Sequence, residues 1–261
     1  MIINVVIGVW EIRFIKFQLI RKIKRFIHLV NEGVNKHFNH DMLLFELPKL
    51  TRTSINGNRF YSTPDGKKYP SITTVVGFNT RQSIIAWRRR VGEEEANRIS
   101  RESANRGTKI HTICENYLNN KPNYAEGHEE EHVSMFNQFQ DAIDRINNIK
   151  CQETGMYSDK LGVAGTVDCI AEFDGKLSII DFKTKRKEMR KEWTDSHFMQ
   201  CAGYGQMWEQ HTNIPIEQLV VLVTTATGVC QVFVEDKETY NNQRVPQLKN
   251  LIDEFNKSNF Y

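Results

Sequence analysis

Residues 163–185 read VAGTVDCIAEFDGKLSIIDFKTK. Asp174-Gly175 separates two apolar runs rich in β-branched residues, and Asp-Gly between such runs is the strongest short-range signal for a hairpin. Runs this apolar read as strands buried within a sheet. Yet Asp181 and Lys183 alternate with Phe182 near the end of the second run, which puts both on one face of the strand. The hairpin also folds Asp168 of the first run back towards Asp181. Two carboxylates converging on one point of a sheet repel each other, and a divalent cation between them removes that cost. A lysine beside them can hold an attacking water and offset charge developing on a phosphate oxygen.

The rest of the chain is expected to supply the layers around that hairpin. Two short strands around Pro64-Asp65-Gly66 are expected within 58–77. Helices are expected over 80–100 and 103–119, with a bend at 101–107. A helix opened by the acidic stretch EGHEEEH runs from 126–132 to about Asn148. Strands follow at 151–158, 163–173 and 176–183, then a helix over 194–211. QLVVLVTT and CQVFVED read as two more strands joined at Gly228, and a last helix covers 237–256. This order predicts an α/β or α+β sheet with helices packed around it.

With Val167-Asp168 followed by Asp181-Phe182-Lys183, the chain resembles the PD-(D/E)XK nuclease superfamily. NRGTKIHTICENYL, 105–118, resembles the R-G-T-x-x-H-x-x-x-E helix of its RecB-like exonuclease branch, with His111 and Glu115 four apart on one helical face. QCAGY, 200–204, resembles the Q-x-x-x-Y motif of the helix after the lysine strand, and YPSITTVVG, 69–77, the Pro-Ser-[Val/Ile]-Thr segment of mitochondrial and phage exonucleases.

The resemblance implies a restriction-endonuclease-like α/β core with a mixed central sheet of four or five strands flanked by helices. It implies Mg²⁺ or Mn²⁺ held by Asp168 and Asp181, the backbone carbonyl of Phe182, His111 and Glu153. Lys183 is then the group on the attacking water, with Gln200 and Tyr204 facing DNA or the lysine. Four-cysteine relatives hold an iron–sulfur cluster through a late cysteine group that this chain lacks, so no cluster is expected. The implied activity is a metal-dependent DNA exonuclease on single strands or free ends, in replication, recombination or repair. A structure-selective endonuclease on the same core and an inactive DNA-binding module are the alternatives. Glu115, Arg106, Ser71 and Thr73 are secondary candidates for the site or for DNA contact. So are the basic run 183–193 and the Trp-Arg-Arg-Arg stretch at 87–90, each of which also reads as ordinary surface or core.

Composition narrows the partners less. The 261 residues carry a formal charge of +3, a mild excess compatible with nucleic acid without arguing for it. Five scattered cysteines without a C-x-x-C pair argue against a zinc ribbon or a disulfide framework and for a reducing compartment. No phosphate-binding loop of the helicase type occurs, so any unwinding must come from a helicase or replication partner. Residues 1–50 read as a separate extension, and 51–261 as the nuclease domain. The extension alternates apolar residues with Arg and Lys and has no apolar run long enough to span a bilayer. It is read as a helix against the domain or a partner, a membrane-surface helix, or an organelle-targeting segment. Bacterial or phage-infected cytoplasm is the expected setting, with mitochondria the alternative.

Overall fold

Asp174 and Gly175 both take positive φ, 52° and 76°, as a tight hairpin of the primed type requires. They join β5 (Val163–Phe173) to β6 (Lys176–Lys185) in the computed structural model, which describes residues 39–55 and 57–258. Most of the expected 1–50 extension lies outside the described residues, which all belong to one unit, Asn39–Tyr261.

The central sheet has five strands in the order β4-β5-β6-β7-β8, with β4 at Ile146–Ser158, β7 at Gln218–Thr225 and β8 at Cys230–Asp236. Only β6 and β7 pair in parallel, and a parallel pair needs a long crossover. Helix α5 (Asp195–Thr212) provides it. Side chains alternate between two cores. Ile170, Ile179 and Val221 face a layer containing α1 (Ile72–Phe78), α5 and α6 (Val245–Lys257). Cys169, Ile180, Phe182 and Leu222 face the layer of α3 (Glu93–Leu118) and α4 (Glu130–Ile143). A smaller antiparallel sheet, β1 (Thr51–Ile55), β2 (Asn58–Ser62) and β3 (Lys68–Pro70), stands beside the first. Residues 41–45 run along β4 through hydrogen bonds to Ile149 and Lys150. Among the described residues no helix is long and apolar enough to cross a membrane.

Four expected boundaries are corrected. Strand β3 stops at Pro70, because the Ser71 hydroxyl accepts from the Thr73 amide and caps α1. The helical break falls at Gly92, φ 88°, between α2 (Arg81–Val91) and α3; residues 101–107 lie inside one continuous helix. Helix α4 ends at Ile143, and β4 begins at Ile146 with a bulge between Asn147 and Cys151. The expected helix over 237–256 is interrupted at Tyr240–Arg244 by a π-helical turn before α6.

Gly165 sets how closely β5 and the layer of α1 and α5 approach. A Cβ at Gly165 of β5 would sit 2.8 Å from Tyr204 Cε1 and 2.9 Å from Ile72 Cγ2. Replacing Gly165 with alanine should therefore cost about 1–3 kcal/mol, the range for overpacking a close-packed interior. Urea unfolding checks this; a loss below a few tenths would mean the interface yields freely.

Candidate active site

The β5–β6 ladder ends at the pair Cys169↔Ile180. Beyond it the strict alternation of faces breaks: Val167 packs in the α5 layer and Cys169 in the α3–α4 layer, leaving Asp168 at the switch. The Asp168 carboxylate takes over where the ladder stops, its Oδ2 accepting from the Phe182 amide at 2.9 Å. The adjoining face of β6 carries Asp181 and Lys183, as the alternation predicts. Lys183 Nζ donates to Asp181 Oδ1 at 2.6 Å, and Gln200 Nε2 of α5 donates to the same oxygen at 3.0 Å. Tyr204, one turn on, lies 3.5 Å from the Gln200 amide and is buried against Gly165.

The opposite layer delivers His111 from α3. Its Nε2 donates to the Phe182 carbonyl at 2.7 Å. Its Nδ1 lies 3.5 Å from Glu153 Oε1 and 3.6 Å from Asp168 Oδ1. Glu153 belongs to β4, where its neighbours pair as Gln152↔Cys169 and Thr154↔Val167, so it stands opposite Asp168. Its φ is 43°, in the left-handed region, within a strand. Such backbone costs a residue with a Cβ of order 1–3 kcal/mol and clusters at functional sites.

Charges in this pocket are strongly coupled. Burial opposes a charge on His111, but Asp168 and then Glu153 outweigh it and push the imidazole up to about 9. Burial raises the Asp181 carboxyl; Lys183 draws it back down and Asp168 adds to the rise. Burial works against the Lys183 ammonium, yet Asp181 and Asp168 leave it raised overall. His197, on the same helix as Gln200, is pushed down to about 4 by burial and then by Lys183.

The donor set fits a hard or borderline divalent cation. One nitrogen of His111 and one carboxylate oxygen each from Glu153 and Asp168 lie within 4.8 Å of one another. The buried Asp181 Oδ2 lies 2.5 Å from Lys183 Nζ but has no hydrogen-bond partner in proper geometry. Of the five expected ligands, then, His111, Glu153 and Asp168 cluster directly. Asp181 is engaged with Lys183 and Gln200, and the Phe182 carbonyl with His111. Glu115 lines the same cavity, of about 590 Å³. Arg52, Arg59 and Thr166 line it too, and sequence reading missed them because none of the three belongs to a motif.

Comparisons with known proteins bear on the family and the fold. A family model described as the PD-(D/E)XK nuclease superfamily matches residues 85–258. The human mitochondrial genome maintenance exonuclease 1 is 25% identical over 169 residues, which cover 60% of this chain and 48% of that protein. Its mouse counterpart is 30% identical over 81 residues, 31% of this chain and 24% of that protein. The matches thus span about half or less of those relatives. A solved Eubacterium rectale chain named as a candidate exonuclease covers 58% of this chain and is itself covered over 68%, at 14% identity and a TM-score of 0.35. A likeness that distant adds nothing to the fold already described.

Proposed function

Because the chain belongs to the PD-(D/E)XK nuclease superfamily, we propose that it is a metal-dependent deoxyribonuclease that degrades DNA as an exonuclease from single strands or free ends. The support comes from one cavity that gathers the cation donors His111, Glu153 and Asp168 with Lys183 and opens to solvent. Relatives named as exonucleases point the same way.

His111, Glu153 and Asp168 would hold Mg²⁺ or Mn²⁺, with Asp181 and the Phe182 carbonyl adjacent. Such an ion lowers the pKa of water and offsets the charge of the transition state. Lys183 is aimed by its ion pair with Asp181, and that carboxylate is fixed in turn by Gln200. Held so, the ammonium donates to the attacking water or to a non-bridging phosphate oxygen, and it pre-forms positive charge where negative charge develops. Asp181 keeps the lysine protonated, so its role is electrostatic placement. Water attacks phosphorus in line, and the proton it releases goes to solvent or to the leaving oxygen. The mitochondrial setting of the relatives is carried over as part of the same proposal; a bacterial or phage-infected cytoplasm is the other setting, and a helicase or replication partner would supply the unwound strand.

End-labelled linear single strands, linear duplex and circular single strands, each with Mg²⁺, Mn²⁺ or EDTA, test this on a gel. Linear single strands should be degraded and circles should survive, with EDTA stopping all cleavage. Cutting of circles would replace the exonuclease reading with an endonuclease on the same core. Binding without cleavage under any metal would leave a DNA-binding module.

A further inference from the structure

Strands β1 and β2 pair with Arg52 opposite Tyr61 and Ser54 opposite Arg59. Opposed residues share a face, and so do alternate residues along a strand, so both arginines lie on the same face as Tyr61. That face is anchored to the catalytic sheet. The Tyr61 hydroxyl meets the Thr166 hydroxyl of β5 at 3.1 Å, two residues before Asp168. The turn end of the hairpin is tied to the start of α1 as well, since the Ser71 amide donates to the Arg59 carbonyl at 2.8 Å.

Arg52 and Arg59 are diagonal neighbours across this pair, about 7–8 Å apart at the backbone. Both are exposed. Arg88, Arg98, Arg145 and Arg244 each meet a carboxylate. Among the described residues no such ion pair forms at Arg52 or Arg59. Two guanidinium groups side by side without an acidic partner repel, and an anion between or upon them relieves that. Their planar forks match phosphate oxygens.

Their place relative to the reaction centre identifies the anion. Both arginines line the cavity that holds His111, Glu153, Asp168 and Lys183. They also line a second cavity of about 470 Å³ that shares Thr73 with the first and continues to Gly57 and Thr74. A third cavity continues from Gly57, Thr73 and Thr74 to Phe78 and Ile84. A chain molecule with regularly spaced anions, one of them at the metal donors, would place its next anions on the arginine pair.

We infer that the β1–β2 hairpin is a phosphate clamp for the DNA strand. Arg52 and Arg59 hold the phosphates next to the scissile one, and the strand continues along Thr73 and Thr74 towards α2. The inference rests on the nuclease reading, but its test is a binding measurement and needs no cleavage.

The full chain is titrated into fluorescein-labelled single-stranded oligothymidylate across a series of NaCl concentrations, in EDTA so that no cleavage accompanies binding. Anisotropy gives Kd and the slope of log Kd against log salt. In Arg52→Gln/Arg59→Gln, Kd should rise about tenfold or more, and the slope should become shallower by about 1.4, or ~0.7 for each lost single-strand phosphate contact. Each single glutamine variant should lose about half of that change. Arg52→Lys/Arg59→Lys should keep the wild-type slope, because counterion release follows charge. Lys249→Gln/Lys257→Gln, which removes equal charge from α6, should keep both values. A folded double glutamine variant with the wild-type slope overturns the clamp, and so does a wild type that binds no strand. A wild type that binds with an arginine-dependent slope yet cleaves nothing with any metal supports the clamp and overturns the nuclease reading.

Discussion

Replacing Lys183 with methionine should reduce DNA cleavage about a hundred- to a thousandfold, the scale of losing a preorganised charge at a developing anion. It should also destabilise the metal-free protein by about 3 kcal/mol. The second effect follows from burial. Asp181 is 2% exposed in its side chain and Lys183 20%, and removing one partner of a buried ion pair leaves the other charge uncompensated. The two partners are not equivalent. Without Lys183, Asp181 faces Asp168 with only the Gln200 amide to satisfy it. Without Asp181, Lys183 still has Asp168. Asp181→Asn should therefore cost less stability than Lys183→Met. The double variant should recover much of the loss, since a neutral pair of similar volume leaves no orphaned charge.

The sign of the pH effect follows from Asp181. Its folded pKa lies above the unfolded value, so the native state binds the proton more tightly. Losing Lys183 removes the influence that holds this pKa down. The stability deficit of Lys183→Met should thus be largest at neutral pH and shrink as pH falls towards the carboxylate range. Urea unfolding at several pH values, in EDTA, measures this. Equal deficits at all pH values would mean that Asp181 is not the orphaned charge. Cleavage that survives the substitution would remove Lys183 from the reaction.

The candidate site was legible where its residues follow a period. Asp181 and Lys183 sit on one face of β6 as alternation requires, and His111 and Gln200 come from helices whose motifs are local. The Asp174-Gly175 hairpin was legible because positive φ selects its residues. The misread elements are those where tertiary context overrides local preference. Ile72-Thr73-Thr74-Val75-Val76 has strand composition, yet Ser71 caps it as a helix, and Ile72, Val75 and Val76 are buried at helical spacing. Asn147 and Asn148 resemble a helix end but form a bulge inside β4, with Asn148 at φ 47°. Arg52 and Arg59 carry no motif. Their meaning depends on which side of a five-residue strand faces β5, and only the Tyr61–Thr166 contact fixes that.

Glu153 gives no sign of its backbone in the sequence, and replacing it should reverse the order of two stabilities. At φ 43° a side-chain-bearing residue costs about 1–2 kcal/mol. Glycine removes that cost but adds about 0.5–1 kcal/mol of unfolded-state entropy. Without metal, and above about pH 9 where a neutral His111 no longer draws on the carboxylate, Glu153→Gly should therefore be more stable than wild type by about 0.5–1 kcal/mol. With saturating Mg²⁺ or Mn²⁺ the order should invert. Losing one of the three clustered donors should weaken cation affinity about a hundredfold or more, somewhat beyond what outer-shell changes cost. A hundredfold loss lowers ligand-linked stabilisation by about 2.7 kcal/mol once the metal is in large excess. Glu153→Gln separates the two effects, because it removes the charge and keeps the strained backbone. It should lose metal-linked stabilisation without any metal-free gain. Thermal unfolding of wild type and both variants, in EDTA and across a metal titration, measures all of this. If glycine and glutamine behave alike in EDTA, the left-handed backbone stores no strain. If metal raises the Tm of every form equally, Glu153 holds no cation, and its backbone is strained for some reason other than aiming its carboxylate at His111 and Asp168.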